Sequence, residues 1–458
     1  MLYLHSASNL DLWFSCSGQM DHLPIPKSSV RKENDRVPYL CRLDYDGGPF
    51  LSYPERLGIT PKLCVEGAEG KARGLFLPGH KAHLQSLSKH ELEPFLQTWL
   101  FFGLIHEFFG SHYDPEEYTF VVETDIKRAK FLSTSGLVEG LDIWVSHYQP
   151  SIIEPRTTYD HLAECLCLAF ATLEAVKETL DPTLKLSLSS LGEILEMSLN
   201  KAVKLEDYNN KNHCPATWPY LIAEEYWEPH LLAAGWCKSE VRRILDDRQC
   251  IQSLHYHTYL PQPLSHRSHR NCNNKQCGAF WNDLATYKTQ HVNNECNCEK
   301  LSIDTQIMSD ILERGSLPLL NIKRGNMIDE LSVDILSSAP ASRYVALSHV
   351  WADGLGNPWE NAWPRCQLFR LHRLIHELDA KSGPPDGREL LFWCDTLCCP
   401  NRPEHAKRLA LARMPSTYQA ATHVLVLEAS LLLCHTQSLD PDEACLRMLS
   451  SGWMRRLW

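Results

Sequence analysis

No stretch of the 458 residues is apolar for long enough to cross a bilayer. The richest window runs from Phe95 to Phe109 (FLQTWLFFGLIHEFF) and carries Gln97, His106 and Glu107. A spanning helix needs roughly 20 mostly apolar residues, so this window excludes a membrane span. Basic residues are also in deficit, 45 against 56 acidic, for a formal net charge of -11. Such a chain repels a phosphate backbone unless its cations cluster on one face, so nucleic acid is not the expected partner. The opening residues lack a basic patch and a long apolar run, and Asp11 comes early, so no secretory leader is expected and the sequence predicts a cytoplasmic protein. Without a leader, the 18 cysteines read as reduced thiols plus a metal site rather than as a disulfide framework. Internal repeats and long low-complexity tracts are absent as well.

What is present suits two or three domains, because 44% apolar residues can supply real cores in a chain of this length. Residues 1–89 form a Pro- and Gly-rich lead-in, in which Tyr45-Asp-Gly-Gly-Pro-Phe50 calls for turn geometry. From 90 to 254 the pattern is mainly helical: Leu162, Leu166, Ala169, Phe170 and Leu173 recur at spacings of three and four, as do Leu191, Ile194, Leu195 and Leu199. Residues 255–300 hold His, Asn and Cys with few aliphatic side chains and need another source of order, while 301–339 reads as a linker. After 340, Tyr344–Val350, Glu389–Asp395 and Thr422–Glu428 read as strands. Between them lie a helix marked by Leu368, Leu371, Leu374, Ile375 and Leu378, and a second helix over Glu404–Ala421 interrupted by Pro415. This alternation predicts an α/β domain with a doubly wound parallel sheet and right-handed crossovers.

The poorest segment in aliphatics is the richest in metal ligands: His269, Cys272, Cys277, His291, Cys296 and Cys298 lie within thirty residues. Zinc takes four tetrahedral sulfur or nitrogen ligands, and two knuckles joined by a loop supply them at small cost in chain entropy. The expected set for a structural zinc ion draws on Cys272, Cys277, His291, Cys296 and Cys298, with more candidates than one ion needs. Ordinary reduced cysteines in a loop are the competing reading.

Other features invite weaker readings. Gly354-Leu-Gly356 follows a strand but lacks the further glycine and the Lys-Ser/Thr of phosphate-binding loops. Cys398 and Cys399 with His349 would make a thiol nucleophile and base if the fold joined the strand ends, although buried structural thiols are far commoner. The tryptophans Trp351, Trp359, Trp363, Trp393, Trp453 and Trp458 suit core and rim packing, and Arg455-Arg456 is too short for a nucleic-acid patch.

Three motifs carry a family resemblance. Tyr344-Val-Ala-Leu-Ser-His-Val-Trp351 resembles the first motif of the fungal heterokaryon-incompatibility (HET) domain, and Leu391-Phe-Trp-Cys-Asp-Thr-Leu-Cys398 the second, with Cys394 where Ile is usual. Gly452-Trp-Met-Arg-Arg-Leu-Trp458 resembles the opening of the third, which normally continues into Thr-Leu-Gln-Glu, so residues 340–458 are expected as a HET domain truncated at that motif. More loosely, Tyr45–Leu57, Gly235–Glu240 and the Cys/His segment look like the N-terminal extension of a large group of HET proteins. The resemblance implies a TIR-like fold and a role as an effector of allorecognition and programmed cell death, acting through a protein partner or self-association. It also implies an alternative, since some TIR domains cleave NAD.

In an open parallel sheet ligands bind beyond the C-terminal strand ends. The expected crevice is therefore lined by Ser348, His349, Trp351, Asp353 and Cys398. Cleavage of NAD there would need a carboxylate, for which Asp395 and Glu404 are the candidates, beside an aromatic surface such as Trp351. The plain alternative for Asp395 is a cap or turn-former at a strand end. The missing third-motif Glu favours a signalling module over an enzyme.

Overall fold

The computed structural model describes residues 22–26, 29, 36–59, 84, 86–123, 128–147, 155–203, 217–247, 250–260, 269–279, 287–293, 295–325, 331–340, 342–381, 389–428, 431 and 441–454. Arg455, Arg456, Trp458 and the opening residues lie outside that set. The chain divides into two compact units, one mainly His5–Gln262 and the other mainly Pro263–Leu439 with Ala444–Trp458. Among the described residues no helix is long and apolar enough to cross a membrane.

The N-terminal unit is helical, with α1 (Lys89–Leu96) running through a π-helical stretch, Gln97–Gly103, into α2 (Leu104–Phe109). A two-stranded antiparallel ribbon, β1 (Thr119–Glu123) and β2 (Arg128–Leu132), precedes α3 (Leu137–His147), α4 (Pro155–Val176) and α5 (Pro182–Val203). Leu162, Leu166, Ala169, Leu173, Leu191, Ile194, Leu195 and Leu199 are buried, as their spacing predicts. The described part of the lead-in packs on this unit through backbone groups. The fully buried Gln97 amide accepts a hydrogen bond from Leu40 N (2.6 Å) and donates to Pro38 O (2.9 Å), and Trp99 Nε1 donates to Phe50 O (2.9 Å). Satisfying these groups with side chains is what lets an irregular segment be buried.

Gly192, inside α5, shows how tightly the unit packs. A Cβ there would stand 2.3 Å from the ring of Trp218, whose side chain is buried and tied through Nε1 to Glu196 (2.6 Å). Gly192→Ala gains about 1 kcal/mol of helix propensity but forces the indole to move, and overpacking costs typically about 1–3 kcal/mol. The variant is expected to unfold at lower urea concentration than wild type. A midpoint at or above wild type would refute this packing.

The C-terminal unit is mixed α/β. It begins with β3 (Lys300–Ser302), α9 (Thr305–Glu313), β4 (Pro318–Arg324), β5 (Leu331–Ser337) and β6 (Tyr344–His349). In the N-terminal unit, α5 is followed by α6 (Glu224–Ala233), α7 (Lys238–Asp247) and α8 (Ile251–His257). After β6 come β7 (Ala362–Pro364), α10 (Arg365–Lys381), β8 (Leu391–Trp393), α11 (Asp395–Cys398), α12 (Glu404–Ala420) and β9 (His423–Leu427). Pro415 does not end α12.

Five of these strands form one sheet in the order β5-β4-β8-β6-β9. The expectation of a parallel sheet needs correction: β6 runs parallel to β8 and β9, but β4 is antiparallel to both β5 and β8. The antiparallel edge comes from 301–339, which is therefore no linker. There Leu319, Leu320 and Ile322 bury one strand against the core. The connection β6→β8 moves one way along the sheet and β8→β9 moves back past β6, so right-handed crossovers place α10 and α12 on opposite faces. Central β6 is buried along its whole length, as an apolar strand covered on both faces should be.

Candidate functional site

Parallel pairing of Tyr344, Val345 and Ala346 with Leu391, Phe392 and Trp393 brings the ends of β6 and β8 side by side. Carried two residues further, that register sets Asp395 level with Ser348. Both strands end in polar groups inside a core, and each of those groups finds a partner, as burial demands. Ser348 Oγ accepts from Trp453 Nε1 (2.7 Å), so the third motif touches the first. His349 Nε2 and Asp395 Oδ1 are 2.7 Å apart, with the imidazole buried and the carboxylate about 25% exposed. Trp351 Nε1 donates to Asp395 Oδ2 (3.2 Å), and Thr396 N donates to Oδ1 (2.6 Å). Asp395 opens α11, where a carboxylate suits the unpaired backbone donors of a helix start.

Burial alone would raise the Asp395 carboxyl. Attraction to His349 and hydrogen bonds from His349, Thr396 and Trp351 outweigh it and hold the group down at about 2. Asp395 is therefore a firmly anchored anion with both oxygens engaged. The other ring nitrogen, His349 Nδ1, is buried without a hydrogen-bond partner among the described residues.

The structure thus joins His349, Trp351 and Asp395, gives Ser348 a different partner in Trp453, and separates the rest. Asp353 lies in the 3-10 turn Trp351–Asp353 that follows β6. Cys398 is fully buried, and burial pushes its thiol up to about 12, which removes it from the crevice lining and disfavours its thiolate. Glu404 is exposed in the first turn of α12 and takes no part in the hydrogen bonds around Asp395. Gly354, at φ +87°, ends the 3-10 turn, and a Cβ on it would meet the Gln290 side chain at 2.5 Å. The Gly354-Leu-Gly356 pair therefore answers to close packing and not to phosphate.

The Cys/His segment forms two ligand groups instead of the single pooled set expected. In the first, His269 Nδ1 lies 3.6 Å from Cys272 Sγ and 3.4 Å from Cys277 Sγ, and the two sulfurs are 3.6 Å apart. Gly278 N also donates to Cys272 Sγ (3.2 Å). In the second, His291, Cys296 and Cys298 are joined by Cys366, with all four ligand atoms within 4.8 Å of one another. Cys272 and Cys277 thus belong to a different group from His291, Cys296 and Cys298. These groups could hold metal ions.

No protein-family model, curated protein or solved structure matches this chain.

Proposed function

We propose that the chain is a HET-like effector of fungal allorecognition and programmed cell death, with a TIR-like C-terminal unit acting in the cytoplasm through protein contacts, self-association among them. The observation that carries this reading is the meeting of His349 from the first motif with Asp395 from the second at 2.7 Å. A non-catalytic, interaction-based role is favoured because Asp395 spends both oxygens on His349, Thr396 and Trp351. Glycosidic cleavage of NAD would need a carboxylate free to face a developing cation, and Glu404 lies outside this network. Trp359, 68% exposed, offers an aromatic anchor for a partner. Structural zinc in the Cys/His segment completes the reading.

Induced expression in a filamentous fungus tests it. Wild-type protein is expected to lower viability with cellular NAD unchanged, and His349→Ala at equal protein level is expected to abolish the effect. Undiminished growth would refute the effector role. Nicotinamide release from NAD by purified wild-type protein, lost in Asp395→Ala, would turn the reading to the enzymatic alternative.

A further inference from the structure

The ribbon β3–β7 explains how a cysteine 68 residues away from Cys298 joins it. Lys300 faces Pro364, Leu301 faces Trp363 and Ser302 faces Ala362. Beyond that pairing Arg365 N donates to Glu299 O (3.0 Å) and Cys366 N to Cys298 Sγ (3.3 Å). His291 Nδ1 lies 3.4 Å from Cys298 Sγ and 3.6 Å from Cys366 Sγ. With bonds of about 2.3 Å to sulfur and about 2.0–2.1 Å to nitrogen, a tetrahedral zinc ion sets its S···N edges at about 3.6 Å. The observed separations fit that edge. Three thiolates need compensation, and Cys298 and Cys366 receive N–H donors from Cys366 and Val292, the latter at 3.3 Å. Cys366 also sits in the first turn of the 17-residue α10, where the helix start favours an anion.

The residues immediately before His291 form a strap over the loop that follows β6. Tyr287 Oη donates to Trp351 O (2.7 Å), Thr289 Oγ1 to Gly356 O (2.7 Å) and Gln290 N to Gly354 O (2.8 Å). Gln367, next to Cys366, donates through Nε2 to Gln290 O (3.0 Å). Trp351, at the start of the strapped loop, is the residue that holds Asp395 Oδ2.

We propose that one zinc ion binds His291 Nδ1 and the thiolates of Cys296, Cys298 and Cys366, and that it fixes the strap Tyr287–His291 on the loop Trp351–Gly356. Zinc loading then sets how well ordered the His349–Asp395 joint is. Binding releases three thiol protons to solvent and leaves the His neutral. The proposal takes up the structural-metal reading and is independent of the allorecognition role, since its test reads metal and amide exchange and not cell death.

Metal content and amide exchange of the purified full chain test it. Cys366→Ser is expected to lose one equivalent of zinc relative to wild type, whereas Cys366→His retains it. Hydrogen exchange at the Gln290 amide is expected to rise about tenfold or more in Cys366→Ser and to stay at the wild-type rate in Cys272→Ser, whose sulfur belongs to the other group. Wild-type zinc content in Cys366→Ser would overturn the ligand set, and loss of zinc with unchanged exchange would overturn the strap. Should Cys366→Ser fail to fold, cobalt-substituted Cys366→His decides the ligand set: one sulfur-to-metal charge-transfer contribution out of three is expected to disappear, and an unaltered band would overturn the assignment.

Discussion

Replacing His349 with alanine is expected to lower the unfolding free energy of the C-terminal unit by about 3–5 kcal/mol, the usual cost of leaving a largely buried carboxylate without its closest partner. The variant keeps the Asp395 carboxylate but removes its closest partner, leaving Trp351 Nε1 and Thr396 N. It also empties space in a core where Trp363 meets the imidazole edge-on at 5.9 Å. Asp395→Asn should cost less, because the amide keeps the shape and one acceptor oxygen. A loss below about 1 kcal/mol for His349→Ala, read from denaturant curves, would mean that the pair behaves like a surface ion pair.

Acid gives the same pair a second signature. The folded Asp395 carboxyl, at about 2, lies below its ordinary value of 3.8, so its ionised form adds stability that is fully present above about pH 4. That contribution is lost as pH falls from there through about 2. At about 1.36 kcal/mol per pKa unit, the gap between wild type and Asp395→Asn should shrink by about 2–3 kcal/mol over this window. A gap that stays constant on acidification would show that the carboxylate is not held as described.

The strand-end site was legible in the sequence because both motifs end apolar runs, and parallel pairing of such runs forces their polar ends together. Glu404 illustrates the limit of that logic. It is nine positions after Asp395, yet it begins a separate helix, α12, where it is exposed. Cys398 failed for another reason: at the end of the one-turn helix its thiol is fully buried, whereas the Asp395 carboxylate at the start keeps about 25% exposure and reaches His349. The antiparallel pair β4–β5 was hidden because short strands with polar residues at Asn321, Lys323, Ser332 and Asp334 read as a linker. Cys366 had no local signal at all. It stands alone after Pro364, and only the β3–β7 register links it to Cys298.

The second large effect is expected at Trp363, which ties that ribbon to the strand-end site. Its side chain is 1% exposed, its Nε1 donates to Leu355 O (2.7 Å), and its strand position faces Leu301. Trp363→Ala removes the largest buried side-chain type, leaves the Leu355 carbonyl with Thr396 Oγ1 (3.3 Å) in place of its closer donor, and opens a cavity beside His349. Aromatic-to-alanine changes of this kind cost about 3–5 kcal/mol. Trp363→Phe keeps most of the ring and loses mainly the hydrogen bond, so it should cost about half as much or less. Because Trp363 and His349 are in direct ring contact, the double variant Trp363→Ala with His349→Ala should fall short of the summed losses by about 0.5–3 kcal/mol. Strict additivity in that cycle would show the ribbon and the strand-end site to be energetically independent, despite the 5.9 Å contact between the rings.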